Sequence, residues 1–118
     1  MQTDADRPAT GIDLIAAERE RQMTQEGWTP EHDDQHSEGE LLKAADQYLE
    51  AADFIVTTGR DDGDRYFHGH APQAYKWPWD KEWWKPDWSD PIRNLVKAGA
   101  LIAAEIDRLK RKEPDRAN

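Results

Sequence analysis

Apolar residues recur at helical spacing in three separate stretches, and the chain between them is rich in glycine, proline and charge. Ile12, Ile15, Ala16, Arg19, Gln22 and Met23 follow one side of a helix from Gly11 to about Glu26. That helix ends in the turn Gly27-Trp28-Thr29-Pro30. Ser37-Glu-Gly-Glu40 has the form of a capping box, and Leu41, Leu42, Ala45, Tyr48, Leu49, Ala52 and Ile55 continue from it on one stripe, which predicts a second helix. Asp90-Pro91 places an acid at the N-cap and proline at the first helical position of a third helix, running to about Lys112. Its stripe is read as Ile92, Leu95, Val96, Gly99, Ile102, Ala103, Ile106 and Leu109, and between Leu95 and Ala104 the only polar side chain is Lys97. A helix apolar on nearly every side packs on more than one side, so it is expected to be central or to lie at a subunit interface, with Gly99 admitting a close neighbour. The pattern predicts an all-α domain over 1–118, a three-main-helix bundle with a long ordered Trp-rich connection over 57–89. Residues 1–10 and 113–118 are expected as flexible tails.

A chain of 118 residues makes one small domain with a marginal core, which favours a homo-oligomer, most simply a dimer. The net charge of −9 argues against general nucleic-acid binding, because phosphate contacts supply most non-specific affinity. Without cysteine there is no disulfide framework, Cys-based zinc site or thiol redox chemistry. No apolar run approaches the roughly 18–20 residues of a membrane span, and Met1–Thr10 is polar rather than a signal peptide. A cytoplasmic protein that avoids membranes is the expectation.

Five of six tryptophans fall between Trp77 and Trp88, in a chain of mean hydropathy −1.07. Each ring offers about 150–250 Å² for burial, so the segment either closes a small core or walls a pocket for a flat ligand.

Charged and imidazole groups cluster in several places. Glu18 and Gln22 lie four apart beside Ile15, at the edge of a buried face or within an ordinary solvated one. Between Glu31 and Glu40, two histidines and five carboxylates supply ligands for a divalent cation, Asp34 and His36 being the most suggestive pair. Glu40 has a competing role as the capping acid. Lys97, ringed by apolar residues, requires an anionic partner such as Glu18, Glu40 or a bound phosphate, unless it snorkels to solvent. Arg93, Glu105 and Arg108 extend its polar strip. His68-Gly-His70 and the Glu50/Asp53 pair are weaker candidates whose plain readings are a polar loop and a solvated face.

The succession Glu18-Arg-x-Arg-Gln22, Gly27-Trp28, Gly39-Glu40-Leu41 and Leu95-Val-Lys-Ala-Gly-Ala-Leu-Ile-Ala-Ala-Glu105 resembles small phage and bacterial proteins related to the MazG-like all-α nucleoside triphosphate pyrophosphohydrolases. The resemblance implies a helical oligomer that binds Mg²⁺ or Mn²⁺ through carboxylates and splits a nucleotide between its α- and β-phosphates. Glu40 would be the last acid of the first carboxylate motif. The chain departs from that pattern with His36 and Ser37 ahead of Glu40, and with Arg93, Asn94 and Lys97 where further acids belong. Such exchanges suit direct phosphate binding better than multi-metal hydrolysis.

Three functions are thereby expected to compete. In a pyrophosphohydrolase, Glu18 and Glu40 are catalytic, Glu18, Asp34, His36 and Glu40 hold the metal, Arg93 and Lys97 hold phosphate, and Trp79 or Trp84 stacks the base. A non-catalytic phage protein would sequester a nucleotide signal of host defence on the same scaffold. An acidic interaction module would inhibit a host nucleic-acid-binding protein through exposed aromatics.

Overall fold

The structure, a computed structural model, describes residues 7–112. The expected tails therefore lie outside the described residues at 1–6 and 113–118. Three long helices account for most of the described chain: α1 (Gly11–Gln25), α3 (Glu40–Thr58) and α5 (Pro91–Lys112), with short α2 (Pro30–Asp33) and α4 (Gly63–Tyr66) between them. No strand occurs among the described residues, so the all-α expectation holds. The segment 57–89 is less irregular than its sequence suggests, since it contains α4 and two 3₁₀ turns at Ala74–Lys76 and Lys81–Trp83.

Helix α1 starts at Gly11, as expected, and is anchored by the residues before it. Thr10 caps it in a reciprocal box, its hydroxyl accepting from Asp13 N at 3.2 Å while its N–H donates to the Asp13 carboxylate at 2.8 Å. Arg7 joins the same carboxylate at 3.1 Å. At the other end Gly27, at φ +73°, reverses the chain so that Trp28 N donates to Gln22 O at 2.9 Å. Thr29 then caps α2.

The Ser37 box does not form. Gly39 occupies the N-cap of α3 at φ +81°, without a side-chain cap, and Glu40 instead accepts from Glu38 N at 2.6 Å. With the left-handed Gly39 as N-cap the helix begins at Glu40, so Ser37 lies two residues ahead of the cap, which the spacing alone does not reveal.

Helix α5 is central, packing against α3, α1 and α2. Its interface with α3 joins Ala98, Leu101 and Ala104 to Leu41, Ala44, Ala45, Tyr48 and Ala51, and small side chains on both helices permit close approach. The stripe expected to be buried on α5 is rotated by about one residue. Asn94, Ala98, Leu101, Glu105 and Arg108 face inward, whereas Ile92, Leu95, Ile102, Ile106 and Leu109 are 37–60% exposed. The inward stripe has polar ends, so a reading of hydrophobicity selects the wrong neighbour. Asn94 earns its place by stapling the connection: its amide donates to Asp87 O at 2.8 Å and its carbonyl accepts from Asp87 N at 2.9 Å. Tyr48 Oη accepts from Lys85 N at 3.2 Å and the Gln47 side chain accepts from Gln73 N at 2.6 Å, so α3 holds the same connection at two more points.

Trp84 and Trp88 close the core, packed against Tyr48, Trp77, Phe54 and Phe67 at centroid separations of 4.8–6.4 Å. A Cβ at Gly63 would fall 2.2 Å from the Trp88 ring, and one at Gly99 would fall 2.6 Å from the terminal Cδ1 of Ile15. A buried indole cannot yield, whereas the half-buried Ile15 side chain, met at Cδ1 and at Cγ1 (2.6 and 2.9 Å), can shift as a whole, and alanine adds helix propensity in mid-α5. Chemical denaturation should therefore find G63A destabilised by about 1–3 kcal/mol and G99A within about 1 kcal/mol of the parent; equal losses in the two variants would contradict this packing.

Candidate functional site

The buried face of α1 is polar: Glu18, Arg19 and Gln22 are the side of the helix turned inward, while Ile12 is 82% exposed. Such a face is stable only if every charge finds a partner. Glu18 receives both Nε and Nη2 of Arg21 at 2.8 Å, Nη2 of Arg93 at 2.7 Å and the Gln22 amide at 3.2 Å. Burial by itself raises the Glu18 carboxyl pKa, but the hydrogen bonds and charges of Arg21 and Arg93 outweigh it and leave the value lowered. Arg19 donates to Asp33 at 2.6 Å and to Trp28 O at 3.1 Å, joining α1 to α2 and to the turn before it.

The four side chains expected to share a metal are not brought together. Glu18 is enclosed by two guanidiniums, Asp34 pairs with Arg111 at 2.8 Å, and only His36 and Glu40 are neighbours, with Nδ1 3.4 Å from Oε2. For Glu40 as well, burial raises the pKa but the N–H groups of Glu40 and Glu38 and the His36 ring hold it lowered. Among the described residues no group of three or more histidines and carboxylates gathers as a metal cluster. Of the residues of this set, His36 and Glu40 are the two placed to act on one ion.

Arg93 and Lys97 stand one turn apart, as their spacing requires. Lys97 donates from Nζ to the Lys85 carbonyl, and its ammonium lies 5.5 Å from the Tyr48 ring centroid. Its pKa is lowered, first by burial and then by the charge of Arg93. Arg21, Lys85, Arg93 and Lys97 thus surround Glu18 and Glu26, an excess of cations in a chain of net charge −9.

The tryptophans divide into two sets. Trp84, expected to stack a base, is 8% exposed and belongs to the core. Trp79, the other ring expected there, lines a cavity of about 390 Å³, within the range of about 300–1,000 Å³ common for small-molecule sites. Trp28 and Trp83 share that wall with His32 and His36, and its only acidic groups are Glu26 and Asp80. Trp28, His32, His36 and Trp79 form a closed circuit of ring contacts at 4.7–6.2 Å, with Trp28 and His32 parallel to within 2°. Trp28 and Trp83 were not foreseen as site residues. Trp28 stands far from the other tryptophans in sequence, and its only signal was its position after the helix-ending Gly27; Trp83 was hidden among equivalent neighbours.

Glu26, Trp28 and Trp83 also line a second, narrow space of about 20 Å³ bounded by Arg21, Lys85 and Lys97. The aromatic cavity therefore adjoins the cationic group through three shared residues. The His68/His70 pair and the Glu50/Asp53 pair lie apart from both spaces; Glu50 accepts from the Gln73 amide at 3.4 Å. Three polar atoms in these walls, Gln22 Oε1, His32 Nδ1 and Trp79 Nε1, are buried and make no hydrogen bond within the protein.

Comparison with protein-family models, curated proteins and solved structures finds no match to this chain.

The lowered pKa of Glu18 fixes a sign. A carboxyl with a folded pKa below its unfolded value of 4.5 contributes stability above that pH and loses it as pH falls through the folded value. Glu18→Gln should destabilise the protein at pH 7 by about 1–3 kcal/mol, a range reduced because both arginines reach solvent. The parent should then lose more stability than the variant between pH 5 and pH 3, as read from denaturant midpoints; parallel curves would remove Glu18 from that role.

Proposed function

We propose that the protein binds a nucleotide and holds it intact, base in the aromatic cavity and phosphates at the mouth formed by Lys85, Lys97 and Arg21. The observation that carries this reading is the junction of the two spaces at Glu26, Trp28 and Trp83. A nucleotide is an aromatic ring joined through a sugar to an anion, and it needs such a sequence of surfaces. At the junction Glu26 is placed to accept from ribose hydroxyls. The narrow cleft itself is too small to enclose a phosphate, so the anion would rest on its rim, where Lys85 is exposed.

The resemblance to MazG-like proteins supports the ligand class. Retention is favoured over hydrolysis because Glu18 is neutralised by two guanidiniums and Asp34 by Arg111. Phosphoanhydride cleavage assisted by metal calls for several convergent carboxylates free to hold ions. Binding as a homodimer is part of the same reading, with Ile102, Ile106 and Leu109 on the last turns of α5 supplying apolar area for a second copy.

Titration calorimetry against a panel of nucleoside mono- and triphosphates, followed by mass spectrometry of the recovered ligand, tests the proposal. Binding with the nucleotide recovered unchanged in the presence of Mg²⁺ is the expected result. Trp79→Ala and Lys97→Met should each weaken binding by about 1–3 kcal/mol, through lost stacking and a lost charge-assisted contact respectively. Release of pyrophosphate would replace retention by catalysis, and absence of binding across the panel would overturn the reading.

A further inference from the structure

The wall of the aromatic cavity is built largely of π systems and carries two carboxylates. Three indoles and two imidazoles line it with Pro78, and both of its carboxylates, Glu26 and Asp80, stand on it with no lysine or arginine in the lining. An aromatic face carries negative potential and its edge positive, so the rings that turn a face inward act in the same direction as the two carboxylates on whatever enters. The carboxylates differ in availability. One Glu26 oxygen is 3.3 Å from Arg21 Nη1, whereas the exposed Asp80 side chain has no hydrogen-bonding or ionic partner among the described residues, although its backbone carbonyl is fixed by Trp77 Nε1 at 3.1 Å. Trp83 already accepts a cation, for Lys85 Nζ lies 5.4 Å from its ring centroid on the phosphate side.

Cavity size narrows the class of ligand. A space of about 390 Å³ is more than a methylated ammonium group fills, and suits a heterocycle with part of its sugar. The mutual tilts of the rings, 52° between Trp28 and Trp79 and 62° between His36 and Trp79, present both faces and edges to the ligand instead of one parallel slot. A neutral base would gain stacking from such a wall; a positively charged one would gain stacking, cation–π attraction and the Asp80 carboxylate together.

We infer that the cavity selects nucleotides whose base is a flat cation, either a pyridinium or an N-alkylated purinium. The inference rests on the nucleotide reading and adds the charge of the ring. The division of charge along the site matches such a zwitterion, with cations at the phosphate end and π faces with carboxylates at the base end.

Nicotinamide mononucleotide tests it directly, because its oxidised and reduced forms have nearly the same shape and differ in ring charge. 7-Methylguanosine monophosphate and GMP form a second pair of this kind. Calorimetric titration should find the charged member of at least one pair bound about tenfold or more tightly than its neutral partner. The pair that shows the larger ratio identifies the ring, pyridinium or purinium. Asp80→Asn, at an exposed side chain without hydrogen-bonding or ionic partners among the described residues, should leave folding intact and shrink that ratio by about threefold. Equal or weaker binding of both charged members overturns the inference and leaves nucleotide binding standing. If no nucleotide of either kind binds, the underlying reading falls as well.

Discussion

The Glu18 carboxylate, buried between Arg21 and Arg93, is the constraint on which the arrangement of α1 depends. A charge removed from water is tolerated only with partners of good geometry, and here they come from α1 itself and from α5. That requirement fixes the rotation of α1 on α5, because no other face of α1 presents Glu18 to Arg93. The same rotation points Arg19 at Asp33 and at the Trp28 carbonyl, which sets the turn after α1 and the position of α2. Trp28 and His32, two walls of the aromatic cavity, therefore depend for their placement on ion pairs behind them. The polar face of α1 works as a frame for the site, although its groups need not touch a ligand.

Structural and site tryptophans are separated by how the connection is pinned. Asn94 grips Asp87, Tyr48 grips Lys85 and Gln47 grips Gln73, so the chain on either side of Trp84 and Trp88 is bound to α3 and α5. Those two indoles face the core. Trp79 and Trp83 lie between the pins, on a stretch with the Lys81–Trp83 turn, and are left toward the cavity. Density of tryptophan thus serves two ends in one short segment, closing a core built largely of alanine and walling a pocket beside it.

How much of this could be read from the sequence follows from the same physics. The three long helices and the Asp90-Pro91 start were legible because periodicity over many residues and fixed φ at proline are local properties. Trp79 and Lys97 were singled out by composition, and each lines one of the two adjoining spaces. The inward face of α5 was not legible, since Asn94, Glu105 and Arg108 are buried only because distant or neighbouring groups satisfy them, and that satisfaction is tertiary. Asp34, His36 and Glu40 looked alike as carboxylates and imidazole near one another in sequence, and Glu18 as an acid that another helix could bring to them. Their separation is imposed by arginines at positions 21, 93 and 111, which compete for the acids. Trp28 was missed because a lone aromatic in a turn carries no pattern.

The overall charge and the local charge of the site have different reach, and this decides how an anion could approach a protein of charge −9. Screening at physiological ionic strength confines interactions between exposed charges to about 8 Å. Beyond that distance the net charge contributes little, and within it the ammoniums of Lys85 and Lys97 lie nearest the mouth of the site, Arg21 and Arg93 being paired with Glu18. Burial amplifies Lys97 further, because its lowered pKa reports a positive charge that its surroundings do not fully compensate. An anion at that mouth supplies the missing compensation, while the carboxylates and π faces a few residues away favour the opposite sign. A ligand carrying both charges, phosphate first and cationic ring beyond, satisfies the two halves together; a plain polyanion satisfies only one.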